Sequence, residues 1–269
     1  MADIFADTIA EMTWQQVDEA AKGGAIALWA LGVIEQHGPH LPAGTDVYLP
    51  SDRLRRVKAI LAERGIQALI VPPFYWGVNY VSAAFPASFT VRPEIMIEMM
   101  TDVLKSVARD GFKTAFCISG HGEAEHNRSI YKGVARVAAE TGMKVSFAAE
   151  SPLLKRLGLD LADPLVTPFE DSHSNSTVGF DLHAGSWETS AMLAVAPELV
   201  REEEMKNLAP VSFTVEDLAE WRTGLETARR KTPLGYVGDP HNARADREAA
   251  NMELTARSLA DAITARVKA

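Results

Sequence analysis

Short, uninterrupted apolar runs alternate with stretches of helical periodicity, and this alternation limits the possible folds more than any other feature of the chain. The apolar or strand-like runs are residues 25–34, 67–74, 112–119 and 144–150. The stretches of helical periodicity that follow them, or come near the end of the chain, are 47–65, 93–110, 128–142 and 246–267. Runs without polar alternation are typical of parallel strands that are buried on both faces. The sequence therefore predicts an α/β fold with a mostly parallel central sheet.

The length of the chain, 269 residues, suits one large α/β domain, and we expect a single domain over residues 1–269. A short helix is predicted over 13–22, with Thr13 as its N-cap. Residues 151–179 are rich in Pro, Asp and Ser and show little periodicity, which predicts an irregular loop. A long loop of this kind is more often functional, or part of an interface, than idle.

The charge of the chain argues against some classes of partner. The formal net charge is -9, and the Lys and Arg residues are scattered rather than gathered into a stripe. Such a surface repels nucleic acid and anionic membranes, so we expect neither as a partner. The longest apolar run, AIALWALGVI, is much shorter than the ~20 residues that span a bilayer.

The cellular compartment is predicted from cysteine usage and from the N-terminus. The single cysteine, Cys117, cannot form an internal disulfide, and it lies in an apolar run where a buried, inert thiol is expected. The first residues, MADIFADTIAEM, lack the basic and apolar segments of a signal peptide. We therefore expect the protein to be cytoplasmic.

Residues of the types that bind metal ions follow two of the predicted strands. Glu35 and His37 come directly after the first apolar run, and Asp46 lies a little further on; His121 and Glu123 come after the third run. In an extended segment residues i and i+2 point the same way, so each pair can converge on one spot. The carboxyl ends of strands in an open α/β sheet face a shared crevice. The five side chains are therefore predicted to form one site.

The mixture of imidazoles and carboxylates favours zinc or manganese. Calcium prefers oxygen ligands alone, and structural zinc sites prefer sulfur. Asp46 can bridge two ions because each of its two oxygens can bind one metal, as expected for hydrolysis with two ions about 3.5–4 Å apart. His183 and Glu188, in the segment HAGSWETS, are the candidate proton carriers. Glu188 is also explained as favourable negative charge in the first turn of a helix, and Glu125 with His126 is an alternative to the His121 pair.

Four segments together resemble the motifs of the creatininase (creatinine amidohydrolase) family, in the same order along the chain. They are EQHGPHLPAGTD, SGHGEAEHN, LHAGSWETS and YVGDPHNA. The resemblance implies a three-layer α/β/α fold that binds two divalent ions, usually zinc or manganese, in a homo-oligomer that is a hexamer built as a trimer of dimers. The match covers most of the chain.

The resemblance also implies a role for each candidate residue. Glu35 and His121 would bind one ion, His37 and Glu123 would bind the other, and Asp46 would bridge them. His183 and Glu188 would assist proton transfer and substrate binding, and Glu123 is expected to be essential for turnover. These assignments agree with those from residue type and spacing.

The sequence leaves three functions open. The first is hydrolysis of a small cyclic amide by a water that the two ions activate for attack on a carbonyl. The second is hydrolytic ring cleavage of a cyclic ketone derived from a sugar or an inositol. The third, of another class, is a non-catalytic metal-binding subunit, which the complete ligand set disfavours. Members of the family resemble one another in the site but differ in substrate, so the fold alone does not select among these functions.

Overall fold

The computed structural model describes residues 3–171 and 180–269, in which strands and helices alternate. The strands are β1 Ile26–Leu31, β2 Ala68–Phe74, β3 Thr114–Ser119, β4 Lys144–Glu150 and β5 Val166–Phe169. The longer helices are α1 Trp14–Lys22, α2 Thr45–Glu63, α3 Pro93–Arg109, α4 Ala124–Thr141, α6 Ser186–Val195 and α10 Ala245–Lys268. The short helices are α5 Ser151–Leu157, α7 Glu202–Lys206, α8 Val215–Trp221 and α9 Leu225–Lys231.

The five strands form one sheet in the order β2-β1-β3-β4-β5, and every neighbouring pair is parallel. Successive side chains point to opposite faces. Trp29 of β1 packs in a cluster with residues of α1, α3 and α4, whereas Leu28 packs in a second cluster with residues of α2 and α10. Helices therefore cover both faces of the sheet. The predicted α/β/α architecture with a parallel central sheet is confirmed.

The prediction of an irregular loop over 151–179 is wrong for the part that the structure describes. Residues 151–157 form α5, and β5 adds a fifth strand that pairs with β4 from Phe147↔Val166 to Glu150↔Phe169. β5 has only four residues and contains Pro168, which is tolerated because the strand lies at the edge of the sheet. Residues 172–179 of the predicted loop lie outside the described residues.

The chain also forms helices that the sequence does not predict. The three short helices α7, α8 and α9 lie in a region for which the sequence predicts no element. Among the described residues, no helix is both long enough and apolar enough to cross a bilayer.

The start of α2 lies close against the ends of β1 and β3. A Cβ atom on Gly32, which follows β1, would be 2.0 Å from the Asp46 carbonyl oxygen, and one on Gly120, which follows β3, would be 2.3 Å from it. That oxygen has no helical partner at residue 50, because Pro50 has no N–H. The two glycines therefore allow Asp46, in the first turn of α2, to lie at the carboxyl edge of the sheet.

We expect Gly120→Ala to destabilise the fold by about 1–3 kcal/mol, because the added methyl would overlap backbone that cannot move without displacing α2. Urea unfolding followed by circular dichroism measures the change. Gly122→Ala is the matched control from the same loop, since a Cβ there would meet no atom within 4 Å. Equal stability of the two variants would contradict this account of the contact.

Candidate metal centre

Asp46 is the central residue of the site because its two carboxylate oxygens face different histidines. Oδ1 lies 3.2 Å from His37 Nε2, and Oδ2 lies 2.8 Å from His121 Nδ1. All three side chains are buried. The structure therefore brings together the residues that follow β1 and β3 with the first turn of α2, as the sequence predicts.

The first group of potential ligands consists of Glu35, Asp46 and His121. Their donor atoms lie within 4.8 Å of one another, and His121 Nδ1 is 2.9 Å from Glu35 Oε1. The second oxygen of Glu35 accepts a hydrogen bond of 2.6 Å from the Ser82 hydroxyl. Ser82 thus orients the carboxylate. The sequence gives no local signal for this contact, because Ser82 comes from the long connection between β2 and α3.

The second group consists of His37, Asp46 and Glu188. His37 Nδ1 donates to the backbone oxygen of Glu35 at 3.0 Å, so its Nε2 is left to face Asp46 and, at 3.8 Å, Glu188 Oε2. A hydrogen bond at one ring nitrogen commonly fixes a metal-binding histidine in this way. The backbone N–H of Ala184 donates to the same oxygen of Glu188. Glu188 therefore lies where a ligand to a second ion is expected.

Glu123 lies beside the site but outside the groups described above. Its Oε2 accepts hydrogen bonds from the backbone N–H of Tyr80 at 2.7 Å and of Val81 at 3.0 Å. The same oxygen is 3.9 Å from His121 Nε2, a buried atom with no hydrogen-bond partner among the described residues. The assignment of Glu123 as a ligand stays a prediction. In this structure, Glu188 completes the second group.

His183 belongs to a third group, with Glu35 and His37. Its Nδ1 is 3.9 Å from Glu35 Oε1, and its ring centroid is 4.4 Å from that of His37. Its Nε2 donates to the backbone oxygen of Gln36 at 2.7 Å. Burial lowers the pKa of His183, which favours a neutral ring with a lone pair on Nδ1.

The alternative pair, Glu125 and His126, does not join these groups. His126 is buried behind His121, and its Nε2 donates to the backbone oxygen of Leu31 at 3.3 Å. Glu125 lies within 4.0 Å of two surface cations, Arg128 and Lys132. Neither side chain faces Asp46 in the way that His121 does.

The buried carboxylates of the site need positive charge close to them. Burial lowers the pKa of His37, but Asp46, Glu188 and Glu35 outweigh burial and raise this pKa to about 10. His121 behaves in the same way beside Glu35 and Asp46. Protons on two imidazoles thus neutralise buried carboxylates. Cations bound to the same atoms would supply that positive charge instead.

The spacing of the donor atoms also fits a metal ion. Ligands bonded at about 2.0–2.2 Å to one ion lie roughly 3–3.5 Å apart, and the contacts of Asp46 with His37 and His121 are 3.2 and 2.8 Å. Asp46 is shared by the first two groups, which places two candidate ion positions side by side. The residues therefore fit a pair of divalent ions.

The site opens into a cavity of about 810 Å³. This volume is within the range of small-molecule sites, roughly 300–1,000 Å³. One wall includes Leu218, Trp221 and Leu225 from the region of α8 and α9, and the ring centroid of Trp221 is 6.2 Å from that of His183. The sequence gives no local signal for this wall, because it is formed by a distant part of the chain.

Comparison with known proteins agrees with this architecture. The family model described as creatininase, creatinine amidohydrolase, matches residues 10–263. This chain belongs to the creatininase family. It is 26% identical over 268 residues to the creatinine amidohydrolase of Pseudomonas putida, covering 95% of each chain. It is 26% identical over 221 residues to a mycofactocin precursor peptide peptidase of Mycobacterium ulcerans, covering 80% of this chain and 75% of the relative.

Solved creatininase structures have the same fold. A crystal structure of creatinine amidohydrolase gives a TM-score of 0.73 at 23% identity, with 96% of both chains covered. A manganese form of creatininase also gives 0.73, and a Zn-Zn form of a variant gives 0.70. Creatininase-family enzymes are metal-dependent hydrolases, and the chain described here is one of them.

Metal analysis of variants distinguishes Glu188 from Glu123 as the ligand of the second ion. We expect Asp46→Asn to lose most of the bound metal, because two of the groups share Asp46. We expect Glu188→Gln to lose about one ion per chain and Glu123→Gln to keep its metal, as measured by plasma mass spectrometry after gel filtration. Glu125→Gln is the matched control. Loss of metal from Glu123→Gln, with retention in Glu188→Gln, would reverse the two assignments.

Proposed function

We propose that this protein is an amidohydrolase that uses two divalent ions, zinc, manganese or one of each, to open a small cyclic amide. One observation carries the proposal: Asp46 presents one oxygen to His37 and the other to His121, at the edge of a cavity of small-molecule size. The similarity to the creatinine amidohydrolase of Pseudomonas putida along 95% of both chains supports the choice of a cyclic amide.

The residues that would bind the ions are the two groups that share Asp46. Glu35 and His121 complete one group, and His37 and Glu188 complete the other. When bound, the two ions would supply Lewis acidity toward the amide carbonyl and lower the pKa of a water toward about 7. The chain's own contribution is to hold these ligands in place and to move protons.

His183 is the proposed proton carrier. Its Nε2–H is held by the Gln36 carbonyl, so Nδ1 carries the lone pair and faces Glu35. A neutral imidazole at this position can accept a proton from the attacking water and return it to the leaving nitrogen. General acid–base catalysis of this kind typically contributes about 10²- to 10⁴-fold to the rate.

Glu123 and Glu188 are proposed to assist His183 in different ways. Two backbone N–H groups hold the Glu123 carboxylate near His121 Nε2, where it can accept a proton from the attacking water. Burial raises the pKa of Glu188 to about 7, although His37 opposes the shift. Glu188 is therefore proposed to bind the second ion and to take part in proton transfer.

A second candidate reaction is hydrolytic ring cleavage of a cyclic ketone, in which the attacked bond joins two carbons. The chain is 23% identical over 207 residues to the 3-dehydro-scyllo-inosose hydrolase of Thermotoga maritima, covering 76% of this chain and 61% of that protein. The two reactions differ in product, since only amide hydrolysis breaks a carbon–nitrogen bond and leaves a freed nitrogen group, an amine or, from creatinine, a guanidino group.

We also propose that the protein is cytoplasmic and forms a homo-oligomer, a hexamer by family resemblance. It would act on a small molecule and have neither nucleic acid nor membrane as a partner. Light scattering of the purified protein tests the assembly, and a mass near that of the 29.2 kDa monomer would contradict it.

Hydrolysis by protein with known metal content tests the proposed function. We expect ring opening of creatinine or another cyclic amide, detected as the linear acid by chromatography, loss of this activity after chelation and its return on adding zinc or manganese. A panel of cyclic ketones, assayed for ring-opened acid, tests the second reaction. Metal-loaded protein that hydrolyses nothing in either panel would instead support a non-catalytic metal-binding subunit.

A His183→Gln variant provides the control for the proton carrier in the same assay. We expect it to keep its metal and to lose about 10²- to 10⁴-fold in kcat. Full kcat in this variant would remove His183 from the mechanism without affecting the metal assignment.

A further inference from the structure

Several arginines line the cavity. Arg128 is on α4, Arg156 is on α5, and Arg222 directly follows α8. They come from three separate elements of a chain whose net charge is -9. The mechanism proposed above uses none of them.

Two of these arginines lack an acidic partner, whereas the other arginines of the cavity have one. Arg53 Nη1 is 2.9 Å from Glu150 Oε1, and Arg128 Nη1 is 3.7 Å from Glu125 Oε2. Among the described residues, no carboxylate oxygen lies within 4.0 Å of the guanidinium of Arg156 or Arg222.

Arg156 and Arg222 also repel each other. Desolvation lowers the pKa of Arg156, and the nearby positive charges of Arg222 and Arg128 lower it further, against a smaller opposing effect of Glu150. Both residues line the cavity and both are exposed, so water partly screens their repulsion in the free protein. A bound anion would remove this repulsion and form charge-assisted hydrogen bonds with both groups.

Arg156 is held next to the predicted metal ligands. Its Nη2 donates to the backbone oxygen of Gly122 at 2.6 Å, and Gly122 lies between His121 and Glu123 in the sequence. A Cβ on Gly122 would meet no atom within 4 Å, so the cavity is open beside this residue. An anion on Arg156 would therefore lie beside the loop that carries His121.

Arg222 is placed by α8, the helix that also brings Trp221 to His183. The ring centroids of Trp221 and His183 are 6.2 Å apart, and both residues line the cavity. A small molecule in the cavity could thus contact the metal ligands and the guanidinium groups at the same time. Arg222 and Arg156 approach that molecule from different helices.

We propose that the substrate carries an anionic group, a carboxylate or a phosphate, that binds to Arg156 and Arg222 while its amide lies at Asp46. This inference rests on the proposed function, and it narrows the substrate class from cyclic amides in general to anionic ones. The guanidinium pair fixes one end of the substrate and so orients the carbonyl toward the site.

Anion binding tests this proposal without any need for turnover. Succinate and inorganic phosphate are titrated by calorimetry into zinc-loaded protein that has been freed of excess metal. We expect Arg156→Gln and Arg222→Gln each to weaken binding about 10- to 100-fold, because each removes hydrogen bonds to a charged group. Comparison of the two anions shows whether the site prefers a carboxylate or a phosphate.

Weaker anion binding could also come from a disturbed loop, so the two arginine variants are compared with each other and with a control. Arg156→Gln loses the bond to Gly122 and could disturb the loop. The Arg222 side chain makes no hydrogen bond or ion pair with the residues that the structure describes. Arg109→Gln is the matched control, since Arg109 ends α3 at the opposite edge of the sheet and is 3.7 Å from Asp110. Equal binding by wild type, Arg222→Gln and Arg109→Gln would overturn the proposal.

Turnover of matched amides supplies a second readout. Dihydroorotate is compared with dihydrouracil, and pyroglutamate with pyrrolidone, because the members of each pair differ by a carboxylate. Where a pair is turned over, we expect the acid to have at least about tenfold higher kcat/KM than the neutral amide. In Arg222→Gln this difference should shrink, mainly because KM for the acid rises. No preference for the acids would overturn the proposal. Anion binding that depends on Arg222, without hydrolysis of any amide, would support the anion site and contradict the proposed amidohydrolase activity.

Discussion

The first turn of α2 lies against the ends of β1 and β3, and the geometry of the site depends on that contact. Gly32 and Gly120 leave room for the carbonyl oxygen of Asp46, and Pro50 leaves that oxygen without a helical N–H. The helix can therefore begin between the two strands. As a result, one short side chain reaches histidines that follow different strands, at 3.2 and 2.8 Å. If α2 began further from the ends of the two strands, Asp46 could not reach both histidines, and the two candidate ion positions would no longer share a ligand.

The sequence predicts the parts of the site that depend on local pattern. Glu35 and His121 follow apolar runs that form buried parallel strands, and the carboxyl ends of such strands share one edge. Asp46 is also placed correctly, because turn-forming residues stop the first strand and a helix resumes directly after them. These predictions need only periodicity and residue type.

The sequence does not predict the parts that depend on contacts between distant segments. The turn that carries His183 is fixed by backbone hydrogen bonds with Val237, and that turn places Glu188 beside His37. Glu188 alone looks like ordinary first-turn charge. The sequence does not predict β5 for a related reason. This edge strand has only four residues and an internal proline, so it forms a strand because it pairs with β4 and not because of its own sequence pattern.

The ligand residues come from widely separated parts of a chain that has a single cysteine. A cation held between Asp46 and Glu188 would join α2 to α6 across more than half the sequence, and no disulfide can make that link. Cross-links that close long loops restrict the unfolded chain most strongly. In our proposal, the supply of zinc or manganese in the cell would therefore set the lifetime of the protein against proteolysis as well as its rate of reaction.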